Sequence, residues 1–122
     1  LAEGSQRVVE SMSAVLTNRP EMAAGMRSLM STTPAAGMAA ALRAMAERAE
    51  MSAFLPQISV PALVMAGLAD AIIPVERARE MAASLPDAQL VELAGVGHSP
   101  MMEAPQVTAE ALLGLLKRAQ GE

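Results

Sequence analysis

Two short strand-like segments, separated by one amphipathic helix and each leading into a glycine-containing turn, constrain this chain more than any other feature. Ala62-Leu63-Val64-Met65-Ala66 carries no polar side chain and stops at Gly67, the pattern of a strand buried on both faces in a parallel sheet. From Pro74 to Ser84 the periodicity becomes helical. Val75, Ala78, Met81, Ala82 and Leu85 fall on one side, and Glu76, Arg77 and Glu80 fall largely on the other. Pro86-Asp87 ends that helix, Gln89-Leu90-Val91-Glu92-Leu93 reads as a second strand, and Gly95-Val96-Gly97 forces a turn before His98. Strand, crossover helix and strand make a βαβ unit, whose strands are parallel. A last helix follows Pro105. Val107, Ala111, Leu112 and Leu115 are expected to face the core, with Lys117 and Arg118 in the last turns, where cations complement the dipole.

The chain ahead of this unit has a different texture. Residues 1–54 read as helix after helix, rich in Ala and Met. Ser5 to Leu16 is the first, and Asn18-Arg19-Pro20 is a break, with Pro20 suited to the first turn of the next helix. There Met22, Met26, Leu29 and Met30 form one apolar stripe. Thr33-Pro34 predicts an N-cap and a proline at the first helical position of a third helix. Its apolar face would be Met38, Leu42, Met45 and Ala49, with Arg43, Glu47 and Arg48 on the other side. Eleven methionines suit adaptable packing, because the thioether chain bends to fill irregular gaps.

Composition removes several classes of function. At 122 residues the chain is long enough for one packed domain. With 52% hydrophobic and 18% charged residues it is too apolar for a disordered chain and too regularly interrupted by charge for a membrane span. A net charge of −4, no basic cluster and one aromatic residue, Phe54, argue against nucleic acid as a partner. The chain has no cysteine, which excludes disulfides and thiolate chemistry, and its single histidine leaves no basis for a His-based metal site. Neither a cofactor nor a metal is expected.

The chemistry concentrates at one edge of the expected sheet. Asp70 follows the first strand and His98 the second, so 28 positions of sequence collapse to neighbouring loops beyond the strand C-termini, where ligands bind in such sheets. Alone, Asp70 reads as a turn residue bonding its own backbone, and His98 as a loop histidine with a structural bond. Together they make a candidate acid–base pair, in which the carboxylate fixes the imidazole tautomer and stabilises the imidazolium formed when the ring takes a proton. Acid before base is the chain order Ser, Asp/Glu, His. Glu103, near a helix N-terminus, is expected to serve backbone N–H groups and the dipole. Gly95-x-Gly97 is no dinucleotide fingerprint, since position 100 is proline where a third glycine belongs.

Two segments carry a family resemblance. Val60 to Pro74, an apolar strand running into Gly67-Leu68-Ala69-Asp70 with Pro74 four residues later, resembles the acid segment of the α/β-hydrolases. Leu90 to Pro105, a strand followed by Gly95-Val96-Gly97-His98 and then Glu103 and Pro105, resembles their histidine segment. The likeness is good over about residues 55 to 118 and loose over 1 to 33; residues 34–54 look like the last cap helix and its return to the core. It implies an α/β fold: the C-terminal part of an α/β-hydrolase core (55–122), a parallel βαβα unit, preceded by a helical cap segment (1–54).

The resemblance also implies Asp70 as the acid and His98 as the base of a triad in an enzyme acting on a small apolar carboxylic ester or lactone. The expected compartment is the cytoplasm, with no membrane partner. The nucleophile is missing: no Gly-x-Ser-x-Gly occurs in the chain. It is expected upstream of Leu1, which leaves this chain catalytically silent by itself. Two alternatives stay open. One is a relative with an Asp nucleophile, cleaving epoxides or carbon–halogen bonds. The other is a non-catalytic ligand-binding protein of the same fold, for which the Asp70–His98 pair has no chemical need.

Overall fold

The computed structural model describes residues 2–121. Three helices come first: α1 (Ala2–Val15), α2 (Pro20–Ser31) and α3 (Ala35–Ala46). A 3-10 helix (Ser52–Gln57) leads to β1 (Ala62–Gly67), α4 (Val75–Ser84), β2 (Ala88–Leu93), α5 (Pro100–Glu103) and α6 (Pro105–Gln120).

The two strand-like segments pair as expected. β1 and β2 are parallel neighbours in the register Ala62 with Ala88 through Gly67 with Leu93, so both strands end level with each other. Helix α4 packs on both strands and α6 packs on β1. Val64, Ala78, Leu93 and Val96 form the buried apolar centre of this unit. Arg118 does more than face a helix dipole. Its guanidinium bonds the Asp87 carboxylate and reaches the Ala62 carbonyl at 3.4 Å, tying the last turn of α6 to the start of β1 and to the turn before β2. Gly121 ends α6 with φ 79°, a left-handed backbone that favours glycine.

The N-terminal helices form as the prolines direct. Pro20 opens α2, and Thr17 Oγ1 accepts the Arg19 N–H at 3.1 Å in the preceding turn. Pro34 caps α3 rather than entering it, because its ψ of 140° is extended and the helix begins at Ala35. Helices α1 and α2 pack together around Val9, Ala23 and Met26, with Ser13 and Thr17 buried beside them.

The apolar stripes meet the core only in part. Met22, Met30 and Met38 are half-buried, but Leu29 is 73% exposed and Met45 57% exposed. Leu42 is exposed, and Ala49 lies beyond the end of α3. On α6, Val107 and Leu112 are exposed while Thr108 is buried. A 3.6-residue period marks which side of a helix is apolar, not whether another layer covers it. Among the described residues the sheet has two strands, so there are few surfaces for these stripes to cover.

The histidine segment also differs in detail. A separate short helix, α5, stands between His98 and α6. Ala104 breaks the two apart, with φ −140° and ψ 60°, because the residue before a proline is pushed out of the helical region.

Candidate active site

Backbone hydrogen bonds hold the ends of β1 and β2 against each other. Leu68 N–H donates to Leu93 O and Ala69 N–H to Val96 O, both at 2.9 Å. Gly67 permits this approach. A Cβ there would stand 2.2 Å from the carbonyl oxygens of both Val96 and Gly97. Gly95, with φ 69°, turns the second loop back toward the first.

Asp70 and His98 meet across this seam. Asp70 Oδ2 lies 2.8 Å from His98 Nδ1. The other oxygen, Oδ1, accepts the N–H groups of Ile72 at 2.7 Å and Ile73 at 3.0 Å. One carboxylate thus serves as both turn residue and partner of the imidazole. Burial pushes its pKa up, but the Ile73 N–H, His98 and the Ile72 N–H outweigh that and hold it below the ordinary carboxylate value. An ionised carboxylate only accepts, so Nδ1 carries a proton, and in the neutral ring that tautomer leaves the lone pair on Nε2. The Asp70 side chain is 9% exposed and that of His98 35% exposed, so the carboxylate is shielded while the ring keeps access to a ligand.

A third set of contacts anchors the histidine loop from outside the sheet. Glu103, 3% exposed, folds back so that Oε2 accepts the Gly97 N–H at 3.0 Å. The sequence places this carboxylate at a helix N-terminus; the backbone group it serves lies six residues upstream, in the loop itself. Asn18 Nδ2 donates to Gly95 O at 2.9 Å, and Ser99 Oγ donates to Leu16 O at 2.7 Å. Asn18 and Ser99 carry no local signal of these roles, because their partners lie 77 and 83 positions away.

A cavity of about 210 Å³ opens beside the pair, walled by β1, the face of α4 that carries Ala78 and Met81, and Pro100. Four successive residues of β1, Val64 to Gly67, contribute to it. Successive strand residues point to opposite faces, so the cavity lies along the edge of β1 that has no neighbouring strand among the described residues. No group of three or more His, Cys, Asp or Glu side chains converges as a metal site among the described residues. No described helix is long and apolar enough to cross a membrane.

Parallel strands with an acid and a histidine on adjoining C-terminal loops define a segment of an α/β-hydrolase fold. The model of the alpha/beta hydrolase family matches residues 4–111, and the chain belongs to that family. It is 36% identical over 92 residues to the pimeloyl-[acyl-carrier protein] methyl ester esterase of Xanthomonas oryzae pv. oryzae (strain MAFF 311018), a match covering 71% of this chain and 36% of that protein. Among solved structures, a thermophilic esterase from Thermogutta terrifontis superposes with a TM-score of 0.87 at 35% identity, over 96% of this chain and 45% of that one. The enol-lactonase from Burkholderia xenovorans LB400 shares the fold, with a TM-score of 0.83 at 24% identity over 94% of this chain and 46% of that one. The chain therefore spans about a third of the length of the curated relatives it matches.

Proposed function

We propose that this chain is the C-terminal part of an ester hydrolase, in which Asp70 is the acid and His98 the general base of a Ser-Asp-His triad. The observation that carries this reading is the 2.8 Å contact between Asp70 Oδ2 and His98 Nδ1. It leaves Nε2 free to take a proton from a serine hydroxyl and return it to the leaving alcohol. The rise in positive charge on the ring is offset by the ionised Asp70 behind it. Residues 55–122 belong to the core and residues 1–54 to a helical cap that shapes an apolar site for the acyl or lactone group.

No Gly-x-Ser-x-Gly is present in the sequence. On this reading the nucleophile and the oxyanion donors lie upstream, in the part of the fold that the relatives possess and this chain does not span. The esterases among those relatives favour serine over aspartate as the nucleophile, and a carboxylic ester or lactone as substrate.

The test compares the 122-residue chain with a protein extended by the coding sequence upstream of it, on a short-chain p-nitrophenyl ester. The extended protein should turn over, and His98→Ala should lower kcat by a factor on the order of 10⁴ or more, as loss of a triad base does. The short chain should show no turnover above its own His98→Ala variant. Turnover in the extended protein that survives His98→Ala unchanged would sink the assignment.

A further inference from the structure

The three anchors of the histidine loop do not come from one place. Glu103 is a neighbour in sequence, but Asn18 and Leu16 sit in the turn between α1 and α2, a segment that contributes no strand to the sheet. That turn grips the loop on both sides of His98. Asn18 Nδ2 holds the Gly95 carbonyl three residues before the imidazole, and Leu16 O receives the Ser99 hydroxyl one residue after it. A Cβ on Gly97 would stand 3.0 Å from Asn18 N and 3.4 Å from Thr17 Cα, so the two backbones are already in contact. Ser99 and Thr17 are both buried at this junction.

We infer that the α1–α2 turn is a positioning element for His98, with Asn18 and Ser99 as positioning residues. The backbone on either side of the imidazole is fixed to the N-terminal helices, so the position of the ring opposite Asp70 depends on where those helices sit. A movement of α1 and α2 relative to the sheet then changes the Asp70–His98 contact directly, without passing through the strands. The helical segment thereby has a role in the alignment of the pair as well as in the shape of a pocket. Only the consequence of that role in catalysis rests on the function proposed above. The alignment itself is measurable without any reaction.

His98 is the single histidine of the chain, so its ring gives one set of imidazole nitrogen signals. At alkaline pH, with the ring neutral, nitrogen-15 shifts report the ratio of the Nδ1–H to the Nε2–H tautomer. The bond to Asp70 holds the first. In the 122-residue chain, Ser99→Ala and Asn18→Ala should each shift that ratio toward Nε2–H by about threefold to tenfold, the weight of one hydrogen bond. Ser99→Thr, which keeps the hydroxyl, should restore it. Amide protection in β1 and β2 separates alignment from folding. If Ser99→Ala loses that protection, Asn18→Ala decides alone, because its side chain is exposed and its removal leaves no buried group unpaired. An unchanged tautomer ratio in Asn18→Ala with intact strand protection overturns the inference. Asp70→Asn is the control. If it too leaves the ratio unchanged, the Asp70–His98 pair is not formed in solution and the functional reading falls with it. If it moves the ratio while Asn18→Ala does not, only the positioning role fails.

Discussion

Replacing Gly67 by alanine adds one methyl group at the point where the two site loops touch. The new Cβ would sit 2.2 Å from two carbonyl oxygens and 2.6 Å from the Val96 carbonyl carbon, about 0.8 Å and about 0.4 Å inside the 3.0 Å below which Cβ contacts essentially never fall. The three nearest atoms are all backbone, which cannot swing aside as a side chain can. Relief requires the 95–98 loop to move away from β1. Such overpacking costs about 1–3 kcal/mol. The same movement strains the two 2.9 Å bonds that close the seam, from Leu68 N–H and Ala69 N–H, each with a net worth of about 1 kcal/mol.

The expected loss is therefore about 3–5 kcal/mol, a large share of the ~5–15 kcal/mol by which domains are stable. Urea unfolding followed by circular dichroism measures it, with the His98 tautomer ratio as a local readout. Gly114→Ala is the matched control: a Cβ there meets nothing within 4 Å. In a helix interior it should stabilise by about 0.5–1 kcal/mol. A Gly67→Ala variant within about 1 kcal/mol of the parent, with the His98 signal unchanged, would refute the close-approach argument.

Three further outcomes are expected. Glu103→Ala leaves the buried Gly97 N–H without its acceptor and should cost about 1–3 kcal/mol in urea unfolding, whereas Glu103→Gln keeps a carbonyl oxygen in reach and should cost less. Because the folded-state pKa of Asp70 is depressed below 3.8, its contribution to stability is present above that pH and is lost as pH falls through the lower folded value. Unfolding measured over an acid series should accordingly show the gap between the parent and Asp70→Asn narrowing below pH 3.8, and a constant gap would contradict the sign. On α2, Met26→Ala, at 7% exposure, should cost about 2–5 kcal/mol. Leu29→Ala, at 73% exposure, should stay within about 0.5 kcal/mol of the parent.

The sequence by itself determined the elements that depend on local rules. The unbroken apolar run ending at Gly67 reads as a buried strand and Gln89 to Leu93 as a second, and the helix between them makes the two parallel, because strand, helix, strand in one sheet is a crossover connection. From that, Asp70 and His98 had to fall on the same sheet edge. The helices around Pro20, Pro34 and Pro105 were equally legible, since proline marks where a helix starts within a residue or so.

Tertiary structure decided everything that depends on which surfaces meet. Leu29 and Met26 belong to one stripe by periodicity, yet only Met26 is covered, because a hydrophobic period reports a face and not its neighbour. Gly67 reads as a strand terminator, and its tighter requirement, room for the Val96 and Gly97 carbonyls, exists only once the two loops are side by side. Asn18 and Ser99 look like an ordinary turn residue and an ordinary loop serine. Their pairing with Gly95 and Leu16 joins segments 77 and 83 positions apart, and a hydrogen bond of that kind has no local pattern, because it is fixed by packing rather than by the chain on either side of it.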